Sequence, residues 1–301
     1  MFTESPPTTD ARPILIAVPN VSEGRDPAKI AAIGAAFARG ARLLDTHSDR
    51  DHGRTVFTLA ARQGQLARAL VDGARAAIER IDLTTHTGKH PHVGAIDVAP
   101  VVYLDEAHRG AACAEALTAA ALIGDELELP VYLYGELAGG RERAEIRRGG
   151  VEALAARDDL TPDYGPRAID PATGAVLVAA RPPLIAFNVD LETDDLDVAQ
   201  EIAAEIRESA PNGLPGLRAI GIALPTKGHA QVSTNVHDYR QTPLHEIVRR
   251  VEQRAAVRGI ELVGLAPRAA LAHLPQTGLR SIEEALGSGP AHGPDEEEAP
   301  A

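Results

Sequence analysis

The segment from Thr85 to Val98, THTGKHPHVGAIDV, places His86, Lys89, His90 and His92 among glycines and then runs into an apolar stretch. Imidazole titrates nearer neutrality than other side chains, so such a cluster can move protons or ligate a metal. Gly88 and Gly94 allow the backbone to approach a ligand closely. On a helix His86 and His90 would share a face; on an extended segment His90 and His92 would. Pro91 opposes a continuous helix. A metal site would need Asp97 or Asp45 as a further ligand, and the chain has one cysteine, Cys113, and no H-E-x-x-H frame. The favoured chemistry is therefore metal-free: one histidine as general acid–base, its neighbours orienting it or binding substrate. Histidines bonded to backbone groups in a glycine loop are the open alternative.

Four other polar stretches could serve such a site. In Asp45–Thr55 the run Asp49–Asp51 reads as a solvated hairpin turn, while Arg54, at a strand start, offers a bidentate fork to a carboxylate. Asn20–Gly24 either caps the next helix or presents Asn20, Ser22 and Glu23 to a cleft. In Gly228–Asn235, alternation puts Gln231, Ser233 and Asn235 on one side of a strand. That stripe fits a sheet face lining a wet cavity, or an exposed edge strand. Asp163–Gly174 is too rich in Pro and Gly for helix or central strand; it is a linker or, the favoured reading, a ligand-contacting loop. No Walker motif, Rossmann glycine fingerprint or G-x-S-x-G is present.

Two segments with the same order of elements must position these residues. In the first, strands are expected at 14–18, 42–46, 54–60, 97–104 and 130–134, with helices at 26–39, 66–80 and 109–126. Asp26 is the N-cap of the first helix and Pro27 its first residue. In the second, strands at 184–190, 217–224, 231–235 and 260–265 surround helices at 196–208 and 244–258. The shared strand–helix–strand–strand–helix–strand order is the split βαβ, or ferredoxin-like, unit. The fold class is thus α/β (α+β): two βαββαβ subdomains with a substrate tunnel between their sheets. The expected boundaries are a disordered lead at 1–12, subdomains at 13–180 and 181–276, and a disordered tail at 277–301 in which Ser281–Leu286 could form a helical turn or two.

Composition narrows the partners. The 301 residues are 44% hydrophobic but only 3% aromatic, with no Trp, so the core must be built from Ala, Val, Leu and Ile. The net charge of -13, four units of it from Asp295–Glu298, argues against nucleic acid. Lysines are scarce, and Lys89 and Lys227 each stand beside Gly and near His. Cys113, in an Ala-rich helical stretch, reads as a small buried residue. No apolar run approaches the roughly 18 residues of a membrane span, and Met1–Arg12 is unlike a signal peptide. A cytoplasmic protein with no nucleic-acid or membrane partner is expected.

Nine collinear segments resemble the formiminotransferase family, that of the formiminotransferase half of formimidoyltransferase-cyclodeaminase. They are VPNVSEGRD (18–26), LLD (43–45), RTVFTL (54–59), HTGKHPHVGAIDVAPVVYL (86–104), PVYLYGELA (130–138), DYGP (163–166), LIAFNVDL (184–191), AQVSTN (230–235) and LVGLAP (262–267). The resemblance implies transfer of a formimino group from N-formimino-L-glutamate to N5 of tetrahydrofolate, the co-substrate, as a step of histidine breakdown. It implies that His90 is the catalytic histidine and that the unit is a homodimer. It places the folate-contacting loop on Gly165, Pro166, Arg167, Ala168, Ile169, Asp170, Pro171, Ala172, Thr173 and Gly174, a loop with no aromatic ring to stack on a pteridine. Residue reading and resemblance together give Asn20, Asp45, Arg54, His86, Lys89, Gln231 and Asn235 as the substrate-binding set. No cyclodeaminase segment is recognised, so ring closure is expected of another protein. Transfer from N-formylglutamate, and folate binding without catalysis, are the alternatives.

Overall fold

Pro19 shapes the first strand. Proline has no N–H to give a ladder, and in the computed structural model, which describes residues 12–88, 92–275 and 278–287, the leading apolar run is interrupted there. The chain proceeds through β1 (Ile14–Ala17), β2 (Asn20–Val21), α1 (Pro27–Phe37), β3 (Arg42–Asp49), β4 (Arg54–Arg62), α2 (Leu66–Ile78), β5 (Ile96–Val102), α3 (Arg109–Leu127), β6 (Val131–Leu133), two short helices α4 (Arg143–Arg147) and α5 (Gly150–Ala155), and β7 (Val176–Arg181). β1 and β2 share one lane: each pairs antiparallel with β4 on one side and β5 on the other. β3 pairs with β4 outside this lane, and β5, β7 and β6 run on in parallel.

Local chemistry explains the elements. Asp26 caps α1 by accepting from the N–H groups of Ala28 (2.9 Å) and Lys29 (3.2 Å), with Pro27 in the first turn where its missing N–H costs nothing. Gly73 of α2 lies against Phe37 of α1, and a Cβ there would fall 2.0 Å from the ring, so only glycine lets these helices pack. Alternation along the strands sends Leu15, Phe57, Leu59, Val101 and Val178 to the face covered by α1, α2 and α3, where they join Ile33, Phe37, Leu70, Ala116 and Ile123 in the main core. The opposite face has a smaller core of its own. Val98, Leu177, Ala179, Tyr132 and Tyr134 pack there with Ile146 and Leu154 of α4 and α5.

The rest of the chain holds β8 (Ile185–Leu191), α6 (Leu196–Ile206), β9 (Leu217–Leu224), β10 (His229–Val236), α7 (Leu244–Glu252), β11 (Val257–Val263) and α8 (Ile282–Gly287). Its four strands stand in the order β11-β8-β10-β9, with β8 antiparallel to both neighbours. In the first sheet the strands β3, β4, β1/β2 and β5 follow the same order. Both sheets are consistent with the split βαβ scheme. Phe187, Val189, Val232, Ile202, Ile206, Ile247 and Val251 form the second core.

By contact density the chain divides into two compact units. One comprises residues up to Leu184 together with Leu224–Gly228; the other comprises Ile185–Ala223 and the chain from His229 onward. Several expectations need correction. The helix expected to Arg258 ends at Glu252, because Val257–Val263 pairs with β8. The strand expected to stop at Thr46 continues to Asp49, paired across to Arg54. β10 is an inner strand, between β8 and β9, and not an edge.

Candidate functional site

β-alternation gathers the first group of polar residues. Phe57 and Leu59 enter the main core, so Arg54, Val56 and Thr58 point to the other face of the first sheet. Asn20 stands opposite Val56 and Asp45 opposite Thr58, which puts Asn20, Asp45 and Arg54 on that same face. Asn20 is buried, and with its amide turned to suit its neighbours its Oδ1 accepts from Arg54 Nε at 2.9 Å and from Nη2, while its Nδ2 donates to the carbonyls of Val18 and Pro19. The pair fixes the guanidinium plane that the sequence reading assigned to carboxylate recognition.

Around Arg54 the charge is strongly positive. Arg147 of α4 is buried and donates through Nε (3.3 Å) and Nη2 to Asp97, itself 2% exposed. Arg143 of α4 and Tyr134 stand within electrostatic range of both Arg54 and Arg147, and Arg181 at the end of β7 stands within range of Arg143 and Tyr134. Burial, and next the repulsion from Arg147, push the Arg54 guanidinium down to about 9. Burial also pushes Arg147 and Arg181 down, with Asp97 opposing this at Arg147 and Tyr134 opposing it at Arg181. Desolvation of a cation is costly unless an anion shares the site.

The histidine loop is anchored on both sides of its centre. On the N-terminal side Gly88 touches the β3–β4 turn: a Cβ on it would lie 2.4 Å from the His52 carbonyl and 2.5 Å from His86 Nε2. Gly53, at φ +64°, meets Gly88 from the turn. Arg25 ties the two segments, donating to the Arg50 carbonyl (3.0 Å) and to the Thr87 hydroxyl. On the C-terminal side the Val93 N–H donates to Asp97 Oδ1 at 2.9 Å. His86 and His92 meet edge to face, ring centroids 4.3 Å apart. Burial, then the His92 and Arg25 charges, lower His86 below the usual imidazole range, which favours its neutral form. His86 also borders a cleft of about 440 Å³ with Ser22, Glu23, Arg25, Lys29 and Thr87. Lys89 and His90 lie outside the described residues.

The loop Gly165–Gly174 is stitched to the same region. Ala172 and Thr173 accept through their carbonyls from the N–H groups of Leu83 (2.9 Å) and Ala95 (2.8 Å), which flank the histidine segment. Gly174, at φ +73°, sits so close that a Cβ would be 2.1 Å from the Val93 carbonyl. Gly165, at φ +76°, lies in the same way on Leu129. Ile169 packs into the smaller core. These contacts make the segment an ordered, docked loop rather than a slack linker.

One expectation about the polar stretches changes. Asp49 and Asp51 are not a solvated turn, being only 9% and 6% exposed. Asp49 accepts from the His52 N–H (2.8 Å), faces His52 Nδ1 at 2.9 Å and pairs with Lys227 Nζ at 2.9 Å. Asp51 accepts from the Thr226 hydroxyl at 2.6 Å. Thr226 and Lys227 belong to the short stretch 224–228 that clusters with the first unit.

Within the second unit, Gln231 is fully buried and its Nε2 bridges two carboxylates, Asp190 Oδ1 at 2.8 Å and Glu261 Oε2 at 3.0 Å. Asn188 donates to the same Glu261 oxygen at 3.0 Å, and His229 Nε2 stands 3.1 Å from Asp190. Asn235 shares that sheet face, opposite Ala186, four residues along from Gln231. Sequence reading missed Arg143, Arg147, Arg181 and Tyr134. The run RERAEIRRGG, from Arg141 to Gly150, carries mixed charge and no hint that Arg143 and Arg147 face this site.

Comparison with known proteins agrees with both halves of the chain. Residues 14–181 match the model of the formiminotransferase domain, N-terminal subdomain, and residues 186–278 that of the formiminotransferase domain. The chain is 37% identical over 271 residues to a glutamate formimidoyltransferase of Streptococcus pyogenes serotype M1, covering 86% of this chain and 90% of that protein. It is 34% identical over 269 residues to a glutamate formimidoyltransferase of Thermoplasma acidophilum, covering 84% and 88%. With the formimidoyltransferase-cyclodeaminase of Sus scrofa it shares 38% identity over 277 residues, which is 84% of this chain and half of that protein.

Proposed function

The chain belongs to the formiminotransferase family, and from that premise we propose how its residues divide the work of formimino transfer. The enzyme moves the formimino group of N-formimino-L-glutamate to N5 of tetrahydrofolate, releasing glutamate, in histidine degradation.

In this reading N5 attacks the carbon of the formimino group, made electrophilic by the proton on its imino nitrogen. The tetrahedral adduct then loses the N5 proton and breaks its bond to the glutamate nitrogen, which must gain a proton. His90 takes the first proton as a neutral imidazole and returns it to the leaving nitrogen, a role suited to the side-chain type that can both accept and donate a proton near neutrality. Arg54, held by Asn20, and Lys89 bind glutamate carboxylates. Asp45, His86, Gln231 and Asn235 complete the substrate contacts, and Gly165–Gly174 contacts the folate. No metal takes part. The functional subdomains run over 13–180 and 181–276, and the enzyme is cytoplasmic and a homodimer, the latter an assignment that sedimentation velocity checks.

What most supports the reading is the anchoring of the histidine loop. Gly88 packs on the β3–β4 turn, Val93 bonds to Asp97, and the 165–174 loop bonds to Leu83 and Ala95, so described residues on both sides of the segment that carries His90 are anchored. A general acid–base must be held to within a fraction of an ångström of its proton. The test is turnover with tetrahydrofolate and either N-formimino- or N-formyl-L-glutamate. The formimino donor gives 5-formiminotetrahydrofolate, and His90→Ala loses about 10²–10⁴-fold in rate. Absence of that product, or full rate in His90→Ala, overturns the assignment.

A further inference from the structure

We propose that Tyr134, Arg143 and Arg181 form, beside Arg54, a binding site for the two carboxylates of a glutamyl group. The proposal rests on the formimino-transfer reading for its choice of ligand, but the site itself is argued from charge and unmet hydrogen bonds.

Tyr134 follows β6 and Arg181 ends β7, two parallel neighbours in the sheet. Leu133 and Val178 go into the main core, so Tyr134 and Arg181 emerge on the opposite face, the face of Arg54. Tyr134 is 7% exposed, yet its hydroxyl has no hydrogen-bond partner among the described residues, and neither does the buried Nε of Arg181. The hydroxyl is near enough to the Arg181 guanidinium to act on it through charge and a loose hydrogen bond, but that contact is too poor in geometry to satisfy either buried group. Buried polar groups are ordinarily paired, and each one left unpaired costs about 1–3 kcal/mol. Both unmet groups can donate, so the missing partner is an acceptor.

The charge balance has the same sign. Asp97 answers Arg147. Asp49, across the ladder from Arg54, is engaged by His52 and Lys227. Among the described residues no carboxylate pairs with Arg143 or Arg181. A ligand filling this place must carry negative charge and several acceptor oxygens, and planar guanidinium groups match carboxylates in fork geometry. Both substrates of the reaction end in a glutamyl dicarboxylate, as does the released product.

Isothermal calorimetry of the whole protein with glutarate, a bare five-carbon dicarboxylate, tests the site without turnover. Wild type binds glutarate and does not bind neutral glutaramide. Tyr134→Phe, which removes one oxygen and keeps the packing, weakens binding about 10-fold, and Arg181→Gln about 10–100-fold. If circular dichroism shows Arg181→Gln unfolded, Arg181→Lys takes its place, since it keeps the charge and loses the fork. Steady-state kinetics then separate the two sources. A raised KM for formiminoglutamate alone assigns the site to the donor, and a raised KM for tetrahydrofolate alone assigns it to the folate tail. Unchanged glutarate affinity in both variants, or no binding by wild type, overturns the proposal. Variant-sensitive glutarate binding in a protein that makes no formimino product would keep the site and discard the formimino-transfer reading.

Discussion

Arg147 and Asp97 form a buried ion pair, and the same Asp97 carboxylate accepts the Val93 N–H at 2.9 Å, so one pair joins α4 to the C-terminal flank of the histidine loop. Asp97→Asn leaves the Arg147 charge buried without its counter-ion. That class of change costs about 3–5 kcal/mol. The expected result is a large fall in Tm together with a fall in kcat. Replacing both partners by leucine should restore much of the Tm but not the rate, since the acceptor for Val93 is still missing. Recovery of both in the double variant would limit the pair to a stabilising role.

Gly88→Ala should slow the enzyme with little effect on substrate affinity. Its Cβ would press on the His52 carbonyl and on the His86 ring, neither of which can retreat without moving the β3–β4 turn or the loop. A shift of about 1 Å at the next residues can cost on the order of 10²-fold in kcat. Steady-state kinetics with both substrates would show kcat reduced and KM nearly constant; unchanged kcat would show that the Gly88 contact does not position the loop.

Asp49 should make a pH-dependent contribution to stability. Burial alone would raise its pKa, but the His52 hydrogen bonds and the Lys227 ammonium outweigh burial and hold it well below the usual carboxylate range. A carboxyl depressed in the folded state stabilises the fold at pH above its unfolded value, near 4, and loses that contribution as the pH falls toward its folded value. Asp49→Asn should therefore be less stable than wild type at pH 7, by about 1–3 kcal/mol for lost charge-assisted hydrogen bonds. The gap should close below pH 4. Urea unfolding across roughly pH 2.5–8 measures this, and a gap that is constant with pH would contradict it.

Gln231→Leu removes the amide that bridges Asp190 and Glu261. Two carboxylates then face each other with one fewer donor between them. The variant should lose about 1–3 kcal/mol at neutral pH. Urea unfolding measures this, and wild-type stability in the variant rules out the bridging role.

The elements were legible where sequence and packing agree. Asp26–Pro27 announces α1, and the apolar spacing of α2 announces its buried face. The helix boundary near Glu252 was not legible, because Gln253, Arg254 and Ala255 are good helix formers and only pairing of Val257–Val263 with β8 turns the following chain into strand. At the site, Asn20 and Arg54 could be found from a polar residue at each strand start. Asp49 and Asp51 could not be told from a solvated turn, since their partners Lys227 and Thr226 lie some 175 residues away in sequence. Tyr134 and Arg181 gave no local signal either: their burial is decided by which neighbouring strands run parallel.

The capture of Leu224–Gly228 by the first unit bears on how the gene can be divided. A chain ended after Leu184 looks like a natural half, yet it would lack Thr226 and Lys227, stripping Asp51 of its Thr226 donors and leaving Asp49 with His52 alone. Fission at that point should give a fragment that is insoluble at low salt and is rescued by a peptide spanning residues 224–228. The two halves are thus not interchangeable modules, and exchanges between relatives are better made with this short stretch moved together with the first unit.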